Sequence, residues 1–201
     1  MVIDTTNFFL NINADISKKE KTQLKLIDAA IELLYEKSFH GSSVKEIAER
    51  ASVSNGTYYN SFVDKEDIYS SASIYISRIM IIEINEKKKQ FERSDEVLKA
   101  GHMGFINFLA SRPKWAAVLI QSQRGHYALD VWSLNRRRLS SDVKRGIKDD
   151  YFSIKFDLFL IDQIMQIALH SIGQQIIHGP SKNLTNKASV AIMRLLKYVD
   201  A

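Results

Sequence analysis

Apolar residues recur at helical spacing along most of the chain. Leu24, Ile27, Ile31 and Leu34 fall three or four residues apart and make one stripe of a helix. Its start is marked by Ser17-Lys-Lys-Glu20, the pattern in which a serine and a glutamate three residues on satisfy each other's free N–H groups. Ser43-Val-Lys-Glu46 repeats that pattern, and Val44, Ile47, Ala48 and Ala51 supply the inner face of a shorter second helix. Ser54 is positioned to cap a third helix running through Tyr59, and Asp64 a fourth that continues into the charged tract 83–93. Ser94, followed by Asp95 and Glu96, opens a fifth, with two acids placed at the positive end of the helix dipole.

Pro113 stops or starts a helix near Ser111 and Arg112, because it lacks an N–H and disfavours helical geometry just before it. Further helical patterns cover 115–123, 127–147, 151–177 and 184–199, the last two parted by His178-Gly-Pro180. No segment alternates with a period of two between hairpin turns, and only two prolines and eight glycines punctuate 201 residues. The fold class expected is all-α.

The first three helices, within 18–62, are joined by short connections, and only Ser52 and Val53 separate the second from the third. That is helix-turn-helix spacing, in which the second helix braces and the third enters the major groove. Asn55 and Thr57 then offer short donors and acceptors at the end of the helix that reaches base edges. Gly56 costs about 1 kcal/mol of helix propensity relative to alanine, and close approach of the backbone to DNA is one reason to carry it.

The stretch from Ile27 to Ile68 resembles the TetR (tetracycline-repressor) family of regulators. The resemblance lies in the Ala29-Ala30 helix, Ser43-Val44 with Ile47-Ala48, Val53-Ser54-x-Gly56-Thr57-x-Tyr59, and Phe62-x-x-Lys65-Glu66. It implies that Ser43, Thr57, Asn60 and Lys65 contact phosphates, and that Asn55, Gly56 and Tyr59 face bases or the adjacent backbone. Ala29, Ala30, Val44, Ile47, Ala48, Val53 and Phe62 would hold the three helices together. Tyr58 stands where the pattern has an apolar residue, so of the paired tyrosines one is expected inside and the other on DNA. Ser38 and Ser52 replace usual glycines, Asn55 a frequently basic residue, and Ser61 a frequent aromatic or histidine.

The domains expected are an N-terminal arm at 1–16, the helix-turn-helix domain at 17–63, and an effector-binding and dimerisation domain at 64–201. The arm is polar and aromatic, disordered or adding a docking or minor-groove contact. By the resemblance the protein is a homodimeric repressor, released from a palindromic double-stranded DNA operator by a small-molecule effector. Repressor and activator remain open alternatives. The segment 151–177 is apolar on more than one side, so it must bury against its own core and against something else. Phe159, Ile164, Ile167, Ile176, Ala188, Ala191 and Leu195 are the candidate dimer contacts. Met103, Phe105, Phe108, Trp115, Tyr127, Trp132, Phe156 and Met165 are candidate effector contacts by residue type, weighed against an ordinary core.

Composition narrows the alternatives. The chain has no cysteine, which excludes disulfides and thiol chemistry. The N-terminus lacks a basic start and a long apolar run, and Lys155, Asp157 and Asp162 interrupt the most apolar segment, so a soluble cytoplasmic protein is expected. Net charge is +5, yet 17–70 carries eight Lys and Arg against nine Asp and Glu. Between 112 and 148 there are nine basic residues against Asp130 and Asp142, and the run Arg136–Arg138 reads as a solvated face or an anion site. Bulk charge therefore does not locate the function. His170 and His178 lack the partners of a metal site, and no nucleophile elbow, phosphate loop or paired acids suggest catalysis. No cofactor is expected, and the protein is not expected to be an enzyme. The alternative function is a helical ligand carrier or interaction module that keeps the helix-turn-helix as scaffold.

Overall fold

The computed structural model describes residues 17–125 and 129–197; for 122–125 and 129–131 it describes the course of the chain only. The arm at 1–16, Tyr127 and Val199 lie outside the described residues. All regular structure among the described residues is α-helical: α1 Lys18–Gly41, α2 Val44–Arg50, α3 Asn55–Tyr59, α4 Lys65–Lys88, α5 Ser94–Ala110, α6 Pro113–Gly125, α7 Leu129–Lys148, α8 Leu158–His178 and α9 Lys182–Leu196.

Capping chemistry sets most of the starts. Ser17 accepts from the backbone N–H of Glu20 at 3.2 Å, and Glu20 accepts from the backbone N–H of Ser17 at 2.8 Å. Ser43 and Glu46 repeat the exchange at 3.2 and 2.9 Å. Asp64 accepts from Asp67 N at 2.8 Å, while the carboxylate of Asp67 accepts from Val63 N at 2.9 Å. Asp157 and Ser181 cap α8 and α9. Ser94 departs from expectation: it is the first residue inside α5, and Arg93 holds the cap position without a side-chain bond. The Ser94 hydroxyl instead donates to the carboxylate of Asp149.

Two other boundaries differ from the periodicity. The fourth helix ends at Lys88 rather than running to Arg93. The segment 151–157 is irregular, and α8 begins only at Leu158. Phe152 explains the second difference. Its buried ring fills the space where a side chain on Gly146 would stand, which fixes the chain reversal after α7. An apolar residue used to plug a turn carries no helical information.

Two compact units are found among the described residues, one within Met1–Ile76 and Ala117–Leu129, the other within Ser77–Ala116 and Asp130–Ala201. The first therefore reaches beyond 17–63 and divides α4 at Ile76. Its core is Leu26, Ile27, Ala30, Ile31 and Leu34 of α1, Ile47 and Ala48 of α2, Tyr58, Phe62, Ile68 and Tyr69. Gln121 of α6 accepts from Phe39 N at 3.3 Å within this unit. The second unit packs α5, α8 and α9 together around Leu98, Val143, Ile161, Ile164, Ile192 and Leu196. A buried polar chain ties the three: Thr185 donates to Asn107 at 2.9 Å, Gln175 to Thr185 at 3.2 Å, and His102 Nε2 shares a 2.8 Å bond with the Ser189 hydroxyl.

The two serines that replace glycine both take positive φ, 67° at Ser38 and 57° at Ser52. Ser38, with ψ at 172°, lies in a region that glycine alone occupies comfortably. Replacing Ser38 by glycine is expected to stabilise the first unit by about 1 kcal/mol in urea unfolding. Gly146→Ala, by overlapping the Phe152 ring, is expected to destabilise the second by roughly 1–3 kcal/mol in the same measurement.

Candidate nucleic-acid interface and effector cavity

Helix α3 has five residues, too few to hold together alone, and its geometry is imposed from both ends. At the start, the Ser54 side chain accepts from Thr57 N at 3.1 Å and bonds the Thr57 hydroxyl at 2.9 Å. On the inner side Tyr58 is fully buried, packs against Phe62, and donates its phenol hydrogen to Asp64 O at 2.7 Å. Burial pushes that phenol well above the ordinary tyrosine range, so it stays a donor.

With Tyr58 inside, the opposite face is fixed. Asn55, Gly56, Tyr59 and Asn60 are exposed, Tyr59 by 59%. Thr57 is half-buried, with its hydroxyl already bonded to Ser54. Gly56 has no structural need of its own: an added Cβ would meet only the Ser54 hydroxyl, at an ordinary 3.7 Å, and its φ is not positive. The space over Gly56 is open within the chain.

Ser43 is exposed at the start of α2, with its hydroxyl engaged by Glu46 at 2.8 Å. Lys65 sits differently from a free phosphate ligand. Its ammonium donates to Phe39 O at 2.7 Å and Ser42 O at 2.8 Å, and lies 4.4 Å from the Phe39 ring centre. Two of its three N–H groups are thereby engaged. Nearby cations are also paired, Lys37 with Glu46 at 2.6 Å and Arg50 with Glu36 at 2.7 Å. Lys37 and the Ser43 hydroxyl hold the Glu46 carboxyl down to about 2. These pairs are the structural form of the near-neutral charge balance of this segment.

The second unit holds a cavity of about 110 Å³ between α4, α5, α7 and α8. Met80, Ile81, Ile84, Leu98, Phe105, Leu139, Ile164, Met165 and Ala168 make its apolar walls, and Asn85, Lys88, His102, Asn135, Arg138 and Asp142 its polar positions. Of the effector candidates, Phe105 and Met165 line it. Met103, Phe108, Trp115, Trp132 and Phe156 do not: Phe108 and Trp115 are fully buried against each other at 5.7 Å, and Phe156 lies on a surface groove with Arg136, Arg137 and Lys144. Residue type alone does not separate core from lining, whereas Arg138 and Asp142, one turn apart on α7, were legible as charges but not as lining.

The dimer candidates divide in the same way. Ile164 and Ala188 are buried within the chain's own core and are corrected to that role. Ala191 is exposed, and Ile167, Ile176 and Leu195 are half-buried. Phe159 and Ile177, at opposite ends of α8, are 68% and 72% exposed, and Leu158 and Val190 are half-exposed. Among the described residues there is no cluster of three metal-ligating side chains, and no helix long and apolar enough to cross a membrane.

Residues 26–72 match the model of bacterial regulatory proteins of the tetR family. The chain is 36% identical to the fatty acid metabolism regulator protein of Bacillus subtilis over 42% of its length and 38% of that protein's. It is 23% identical to the HTH-type transcriptional regulator UidR of Escherichia coli, over 67% of this chain and 83% of the relative. Among solved structures, the fatty acid degradation regulator FadR of Bacillus halodurans superposes with a TM-score of 0.75 at 22% identity, covering 87% of this chain and 94% of the other. FadR of Bacillus subtilis in complex with stearoyl-CoA gives 0.74 at 22% identity, covering 89% and 99%. At these identities the structural likeness is one of fold.

His102 supplies a test of the second unit's packing. Burial pushes its imidazole from 6.5 down to about 4, so the folded protein keeps it neutral. The unfolded chain takes up the proton below pH 6.5 and the folded one only near 4. Stability is therefore full above pH 6.5 and falls as the pH drops from 6.5 towards 4. Urea unfolding across that range is expected to show the slope, and His102→Gln, which keeps a polar group towards Ser189, to flatten it.

Proposed function

We propose that this chain is a transcriptional regulator of the tetR family and acts as a homodimeric repressor released from a palindromic operator by an acyl-chain effector. The observation that carries the DNA reading is the outer face of α3, where Asn55, Gly56, Tyr59 and Asn60 are exposed around a glycine the fold does not need. In the major groove, Asn55 offers paired donor and acceptor to base edges and Gly56 lets the backbone come close. Ser43, Thr57, Asn60 and the remaining N–H of Lys65 serve the phosphates, fixing register rather than sequence.

A twofold dimer sets two recognition helices about 34–36 Å apart, which dictates an operator of two half-sites one helical turn apart. Exposed apolar side chains on α8 and α9, Phe159, Ile177 and Ala191 among them, support that partnering. Effector release needs no direct contact with DNA. A ligand that favours a conformation with wrongly spaced recognition helices lowers operator affinity by its differential affinity for the two states. The acyl-chain class is supported by the apolar walls of the second unit's cavity, and by relatives concerned with fatty acids, one of them bound to stearoyl-CoA.

A second reading, a ligand carrier with the helix-turn-helix as scaffold, draws on the paired cations around α2. Selection of bound fragments from the source genome, then titration of the best site, separates the two. A palindromic site is expected, with Tyr59→Ala weakening it about tenfold or more and affinity falling on the order of 10³-fold or more between 50 and 200 mM salt. No enrichment at low salt would leave the carrier reading standing. Phe159→Lys is expected to shift the protein from dimer to monomer in analytical ultracentrifugation and to abolish tight operator binding.

A further inference from the structure

We propose that the ligand of the second unit's cavity carries an anionic group at the end of an apolar chain, and that Asp142 holds that anion's place while the site is empty. This rests on the reading of the cavity as the effector site. Lys88, on the last turn of α4, forms a 2.6 Å ion pair with Asp142 of α7, both side chains about one-fifth exposed at 20% and 21%. Arg138, one turn before Asp142 on the same helix, also lines the cavity and has no ion-pair partner among the described residues. The polar end of the cavity thus carries Lys88 paired with Asp142 and, beside them, the exposed guanidinium of Arg138.

The exchange follows from desolvation. A half-buried ammonium left without a partner is costly, so the empty site keeps Lys88 paired through Asp142. An incoming anion replaces the carboxylate at Lys88 and gains Arg138 as a second cation, while Asp142 turns to water. A neutral head must leave the resident pair intact, and an ammonium head meets two like charges. The chamber, at about 110 Å³, is smaller than the roughly 150 Å³ cavity that takes a benzene. A longer chain enters by displacing Met80 and Met165, the most adaptable residues of the wall. The anion is a carboxylate on the chain itself or a phosphate of a thioester carrier; both present the same chemistry to Lys88 and Arg138.

Calorimetric titration of the full-length protein with octanoate, octanol, octylamine and octanoyl-coenzyme A tests this. Octanoate is expected to bind about tenfold more tightly than octanol, with octylamine weakest. Arg138→Gln should remove most of that preference and leave octanol affinity unchanged, while Asp142→Asn, by removing the competing carboxylate, should tighten octanoate several-fold. If octanoyl-coenzyme A binds more tightly than octanoate and Arg138→Gln cancels the advantage, the anion is the carrier's phosphate; the reverse order assigns the carboxylate. Octanol binding as well as octanoate overturns the proposal and leaves the cavity as an effector site. Silence from all four probes removes the cavity reading as well. Should Asp142→Asn fail to fold, the Arg138→Gln comparison decides alone.

Discussion

The burial of Tyr58 is the constraint on which the outer face of the first unit depends. A helix of five residues has no independent stability, so its orientation is set by whatever anchors it. Tyr58 supplies a large apolar body fully out of water, a ring contact with Phe62, and a hydrogen bond from its phenol to Asp64 O. Because neighbouring helical residues point about 100° apart, fixing Tyr58 inward fixes Tyr59 outward. The Ser54 cap and the Asp64–Asp67 exchange then secure the connections on either side. The face presented to a partner is thus a consequence of core packing a few ångströms behind it.

The surroundings of that face account for the cations of a segment with no basic excess. Lys37 and Arg50 are spent on Glu46 and Glu36, which fasten α1 to α2, and Lys65 is spent on the carbonyls at the end of α1. These three cations serve the assembly of the three helices. On the proposed DNA-binding reading, hydrogen-bonding groups and backbone proximity are left as the means of recognition, with fewer cations to supply non-specific affinity. Ser38 and Ser52 add a cost, since both hold left-handed geometry that glycine would adopt freely.

Legibility in the sequence followed the range of the interactions. Caps are local, and Ser17, Ser43, Ser54 and Asp64 marked their helices correctly because each acts within four residues. The inward and outward tyrosines were legible from the resemblance, which has an apolar residue at the position of Tyr58. Where tertiary packing overrides the local pattern, the reading failed. Phe152 extends an apolar periodicity that the chain uses to plug the gap at Gly146, and Ser94 turns from its cap position to Asp149. Ile164 and Ala188 look like interface residues by type, but the chain's own core claims them. The cavity was only partly legible, through Phe105 and Met165, because lining depends on which helices meet across long sequence separations.

The most direct measurement is operator affinity and unfolding stability of Gly56→Ala side by side. The space at Gly56 is open within the protein, so the added methyl should leave stability unchanged or raise it by up to about 1 kcal/mol. If DNA approaches this backbone, the same methyl should weaken operator binding at least about tenfold. Unchanged affinity in a stable Gly56→Ala protein would contradict the claim that the outer face of α3 is the surface laid against DNA.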